Sequence, residues 1–138
     1  MVIYANSNSS GALPEYWGLA SWKVKQSSFT ATATGMTTSP TGTINYSIVG
    51  NTVTLDIPNI SGTSNAITFT LTGAPAEIRP ATDKDLIARV TNNGSGAVGF
   101  LRVKTTGVLE LYATISGSSF TASGTKAVAT GSFTYTLA

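Results

Sequence analysis

The residues able to do chemistry are few and scattered. Six carboxylates, Glu15, Asp56, Glu77, Asp83, Asp85 and Glu110, stand beside eight lysines and arginines, and the 138-residue chain contains neither histidine nor cysteine. Without imidazole or thiol there is no ordinary nucleophile–base pair and no nitrogen or sulfur ligand for a metal. A glycosidase would need two carboxyl groups facing each other, about 5–5.5 Å apart for retention or about 6.5–9.5 Å for inversion. Only Asp83 and Asp85 are close in sequence, and with Lys84 between them they read as a solvated turn. The same pair offers oxygens to calcium or magnesium, but the stretch lacks the glycine and the later glutamate of an EF-hand loop. A serine nucleophile would need lysine as its base. Lys126, in Ser123-Gly124-Thr125-Lys126, falls in a strand or turn setting and not on the helix of a Ser-x-x-Lys motif. The composition describes a part that binds or builds, with no catalytic residues, no metal and no cofactor expected.

Charge narrows the partners further. Charged residues make up 10% of the chain against about 25% in an average globular protein, so Thr, Ser, Asn and Gly must cover the surface. A monomer so poorly charged is weakly protected against association, which favours an oligomer or a larger assembly. A net charge of +2 is too weak for a nucleic-acid footprint, and Arg79, Lys84, Arg89, Arg102 and Lys104 form no run. Met1 to Ala20 lacks the charged opening and unbroken apolar stretch of a signal peptide, and no window approaches the ~18 apolar residues of a membrane span.

The elements that must position any site are strands. Phe29, Ala31 and Ala33 alternate with threonines; Ile44, Tyr46 and Ile48 alternate with Asn45 and Ser47; Val53, Leu55 and Ile57 follow with the same period of two. Gly50-Asn51 separates the last two runs as a tight hairpin would. The pattern continues through Ile67 to Leu71, Leu86 to Thr91, Ala97 to Lys104, Leu109 to Ile115 and Phe133 to Leu137. No stretch shows helical spacing over ten residues. The reading is an all-β antiparallel sandwich of jelly-roll type, with about eight to ten short strands over residues 26–138, preceded by a lead-in over residues 1–25.

Aromatic rings and small polar side chains are the better functional lead, because flat rings stack on sugar faces while hydroxyls and amides fix orientation. Phe29, Phe69, Phe100, Phe120 and Phe133 fall on apolar phases and read as core. Tyr112 alternates with Leu111 and so points outward, as a subunit contact or a ligand platform. Trp17 and Trp22 read as a packing lid or interface, with a sugar patch as the alternative. The polar turn from Asn92 to Gly96 places Asn92 and Asn93 at a loop tip suited to hydroxyl recognition, although Asn93-Gly94 also serves to close a hairpin.

Ala74-Pro75-Ala76-Glu77-Ile78-Arg79-Pro80-Ala81 resembles the "LPA-x-x-RPA" segment in C-terminal domains of bacteriophage tail-fibre and receptor-binding proteins, with Ala74 in place of the usual Leu. Val90-Thr91-Asn92-Asn93-Gly94 and Thr105-Thr106-Gly107-Val108-Leu109-Glu110-Leu111 resemble the "V-x-x-N-G" turn and "T-x-G-x-l-x-l" strand that follow it. The resemblance spans roughly residues 20 to 138. It implies a trimeric jelly-roll head of TNF/C1q type, located on the virion, in contact with other virion proteins and with a host cell-surface polysaccharide. The family's receptor sites vary too much to assign residues. A structural virion subunit, a head fibre or decoration protein, is the alternative expectation.

Overall fold

A computed structural model describes residues 24–138. These form ten strands: β1 (Val24–Thr34), β2 (Thr41–Val49), β3 (Thr52–Ile57), β4 (Ile60–Thr63), β5 (Thr70–Thr72), β6 (Lys84–Asn92), β7 (Ser95–Val103), β8 (Leu109–Tyr112), β9 (Thr125–Val128) and β10 (Gly131–Thr136). Among the described residues the one helical element is a 3-10 turn at Ala76–Ile78. All strand pairings are antiparallel, in the order β10-β3-β2-β1-β5-β8-β7-β6-β9-β4.

That order cannot be laid flat. Pro58-Asn59 joins β3 to β4, and Ala129-Thr130 joins β9 to β10, yet each of these pairs is separated by eight strand spacings. In a flat sheet that is about 38 Å, whereas two linking residues reach only about 10 Å. The sheet therefore curls until its ends nearly meet, giving the jelly-roll-like sandwich that the period-two pattern implies. The core lies inside the curl. Ile44, Val53, Leu55, Phe69, Leu71 and Leu101 are each completely buried, and full burial of side chains this size contributes about 1.5–3 kcal/mol apiece.

Turn chemistry fixes the register. Asn93 (φ 50°) and Gly94 (φ 82°) both take positive φ, the requirement of a type I′ hairpin, and they pair Asn92 with Ser95. The hairpin at Gly50-Asn51 pairs Val49 with Thr52 and so sets Asn45 opposite Asp56.

Several local expectations change. Phe100 is not core. In β7 the inward positions are Gly99, Leu101 and Val103, which turns Phe100 outward. Gly99 is obligatory there, because a Cβ would lie 1.9 Å from the Tyr112 carbonyl oxygen. Asp85 is a strand residue paired with Arg102 instead of part of a turn. The Ile67–Leu71 run yields only the three-residue β5, with Ile67 exposed, because the Ala66 and Thr68 carbonyls point at the Lys126 ammonium and not at a neighbouring strand. β8 stops at Tyr112, where Thr114 Oγ1 accepts the Ser118 N–H and turns the chain. Strands β4 and β9 are additional; they pair with each other across more than sixty residues of sequence.

Lys126 holds this closure together. Its side chain is fully buried, its Nζ donates to the carbonyls of Gly35, Ala66 and Thr68 at 2.9, 2.7 and 2.7 Å, and it lies 5.8 and 5.4 Å from the ring centroids of Phe69 and Phe120. Burial pushes its pKa below the ordinary lysine value. All three ammonium protons are engaged, which ties β9 to the loop after β1 and to the segment before β5.

Candidate functional site

Period two gives the curled sheet an outer surface as well as a core, and two regions of that surface differ sharply. On β6, β7 and β8 the register aligns Ile87 with Phe100 and Tyr112, and Asp85 with Arg102 and Glu110. Phe100 and Tyr112 stack with centroids 4.4 Å apart and planes 17° from parallel. The Arg102 guanidinium sits 5.5 and 5.7 Å from the two ring centroids and grips Asp85 with both arms, at 2.7 and 2.8 Å. That grip holds the Asp85 carboxyl below the usual carboxylate range. Around this locked cluster lie exposed apolar side chains, Ile87 at 67% and Val98 at 55% exposure.

On β1, β2, β3 and β10 two outer rows are polar, and an exposed Val24–Val49 pair follows them at one end. One cross-strand row reads Ser28, Asn45, Asp56, Ser132; the next reads Gln26, Ser47, Thr54, Thr134. A shallow trough of about 440 Å³ opens over Gln26, Ser28, Asn45, Ser47 and Asp56. A second hollow of about 350 Å³ adjoins it, sharing Asn45 and Asp56 and walled by Pro58, Thr130 and Ser132. Asp56 makes no ion pair among the described residues.

The floor under this surface is braced from within. The Tyr46 hydroxyl donates to Glu77 Oε1, Lys25 Nζ meets Glu77 Oε2 at 2.7 Å, and the Tyr135 hydroxyl donates to the Ile78 carbonyl at 2.6 Å. The Lys25 hydrogen bond, and then that of Tyr46, hold the Glu77 carboxyl below its ordinary pKa. The Arg-Pro segment is thus a plug for one end of the sandwich: Ile78 is buried, and Arg79 Nη2 donates back to the Ala74 carbonyl at 3.3 Å.

The structure separates the residues singled out in the sequence. Asn92 Oδ1 accepts the Thr121 N–H at 2.8 Å, and the Gly94 N–H donates to the Thr125 carbonyl at 3.0 Å, so this turn is pinned to the start of β9 and to the segment before it. Tyr112 points outward, in the row of Ile87; Asn92 lies five residues further along β6, about 17 Å at the rise of a strand. Trp17 and Trp22 lie outside the described residues. The Ser28–Asn45–Asp56–Ser132 row was not singled out. Its signal was present: the two-residue hairpin after Val49 sets the register, and Asn45 and Asp56 each sit between two apolar core residues.

Neither a protein-family model nor a curated protein matches the sequence. Sixteen chains of solved structures match, among them a reovirus attachment protein, sigma1, in complex with alpha-2,3-sialyllactose. The likeness has a TM-score of 0.51 and 15% sequence identity, covering 87% of this chain and 68% of that one. It establishes a shared fold.

Proposed function

We propose that this chain is a receptor-binding domain on the surface of a virion, a non-enzymatic module that attaches to a host cell-surface glycan. The observation that carries the reading is the outer face of β1, β2, β3 and β10, where hydroxyl, amide and carboxylate groups line an open trough on a rigid sheet. Sugars present alternating hydroxyls and C–H faces, and short side chains on strands meet them with little loss of side-chain entropy. The sigma1 likeness supports the reading, because a protein of this fold was crystallised with a sialylated sugar. So does the resemblance of the Arg-Pro and Asn-Gly motifs to bacteriophage tail-fibre heads.

Attachment by shallow troughs needs several copies. We place the exposed apolar face around Ile87 and Val98 between subunits of a homotrimer, where its burial supplies association energy and three weak sites gain effective concentration. The same face favours a second reading, a structural virion subunit that assembles through it without recognising sugar. A glycan array probed with the purified chain tests the first reading. The expected result is binding to a defined set of host-type glycans, with no oligosaccharide released. Binding to none of them and to no host cell, with antibody labelling on the capsid and not on a tail or fibre, would establish the second.

A further inference from the structure

Resting on that attachment reading, we infer that the trough binds at least two consecutive residues of an uncharged glycan, laid across the Asn45–Asp56 pair. The two hollows that share this pair differ in character. The larger has Gln26, Ser28 and Ser47 on the β1 side, a hydroxyl and amide surface for sugar hydroxyls. The smaller has Pro58 and the short Thr130–Ser132 segment on the β10 side, and the proline ring gives it an apolar wall for a sugar C–H face or an acetyl methyl. Together they run across four adjacent strands, about 14 Å at the spacing of a sheet, which is longer than a single pyranose ring. At the junction Asn45 both donates and accepts, and the Asp56 carboxylate accepts from two hydroxyls at once, so the pair holds the linkage region from both sides.

Charge sets the ligand class. Among the described residues Asp56 is the one charged side chain lining either hollow, and no lysine or arginine of theirs lines them. The nearest cation of β1, Lys25, is paired with Glu77. A sialic or uronic acid carboxylate placed here would face Asp56 with no counter-cation among the described residues lining the hollows. The trough therefore selects neutral hexose or N-acetylhexosamine chains, in contrast to the sialylated sugar in the sigma1 complex.

Titration calorimetry on the full chain tests this, with the probes being neutral hexose and N-acetylhexosamine oligomers of one to four residues and the same oligomers carrying one uronic or sialic acid. The expected result is about a tenfold or greater gain from one residue to two. Each acidic analogue should bind about fivefold or more weakly than its neutral parent. Asp56→Asn, an isosteric change at an exposed position, should weaken neutral binding about tenfold and close the gap to the acidic analogue. Thr106→Ala, in the exposed turn before β8 and away from the polar face, should leave binding unchanged and serves as the folding control. If the tightest ligand is acidic, or if Asp56→Asn and Asn45→Ala bind like the parent, the neutral two-residue site is wrong while glycan attachment stands. If no oligomer and no host glycan binds, the attachment reading falls and this inference with it.

Discussion

The outer face of β6, β7 and β8 and the outer face of β1, β2, β3 and β10 belong to one sheet, obey one alternation, and do opposite things with their polar groups. On the first, the charge of Asp85 and Arg102 is consumed internally. Arg102 is held by both oxygens of Asp85 and covers two stacked rings, so Ile87, Val98 and the ring edges face solvent around it, with the exposed Arg89 beside Val98. On the second, the Asp56 carboxylate makes no ion pair among the described residues, and no ring or aliphatic side chain stands in its two polar rows. Backbone geometry decides only which side chains face outward. Whether a face is suited to another protein or to a hydroxylated ligand depends on whether its polar groups have already found partners.

The widest test asks whether the two faces are rigid parts of one body, because both rest on the closure that Lys126 pins. Lys126→Ala leaves three carbonyls without their donor and empties the space beside the Phe69–Phe120 pair, and should cost about 3–5 kcal/mol. A fall of that size in urea-unfolding stability, accompanied by weaker glycan binding, would tie both faces to the pin. A second test separates the faces. Ile87→Asp places a charge in the apolar face and should convert the proposed trimer to monomer by sedimentation equilibrium, leaving binding of a free oligosaccharide per site unchanged while attachment to a multivalent surface drops about a hundredfold. Equal loss of both would mean that the faces are not independent.

The smallest effect concerns acid. Arg102 lowers the Asp85 pKa in the folded state, so the pair contributes stability above the ordinary aspartate value and loses it as pH falls through the lower, folded value. Asp85→Asn should flatten the stability–pH curve below about pH 4. Because half of the Asp85 side chain is exposed, the change should stay under about 1 kcal/mol. Thermal unfolding from pH 2 to 7 measures it, and an unchanged slope would show that the bidentate geometry adds nothing.

Much of this architecture was legible in the residues, and what was not has a physical reason. Period two identified the β1, β2, β3, β6, β7 and β10 runs because each buries one face, and the Gly50-Asn51 and Asn93-Gly94 turns declared their hairpins. β4 and β9 were not legible, since four-residue strands that pair Ile60 with Val128 carry too little local pattern. Phe100 was misphased because Gly99, a residue with no side chain, holds the inward slot. Lys126 could not be read as core. Its partners are main-chain carbonyls 91, 60 and 58 positions away, which no side-chain motif encodes. The Asn92-Asn93 turn drew attention through its composition, yet composition does not reveal that Asn92 Oδ1 already holds Thr121. The trough row was recoverable by counting back from the Gly50-Asn51 hairpin, which sets Asn45 against Asp56.

Backbone-amide NMR of the full chain, titrated with oligosaccharides released from host surface polysaccharide, locates the receptor contact that we place on the hydroxyl-rich face. The expected result is a contiguous set of shifted amides at Ser28, Asn45, Asp56 and Ser132, with Phe100, Tyr112, Asn92 and Asn93 unmoved. Shifts centred on Phe100 and Tyr112, or on the Asn92-Asn93 turn, would contradict it.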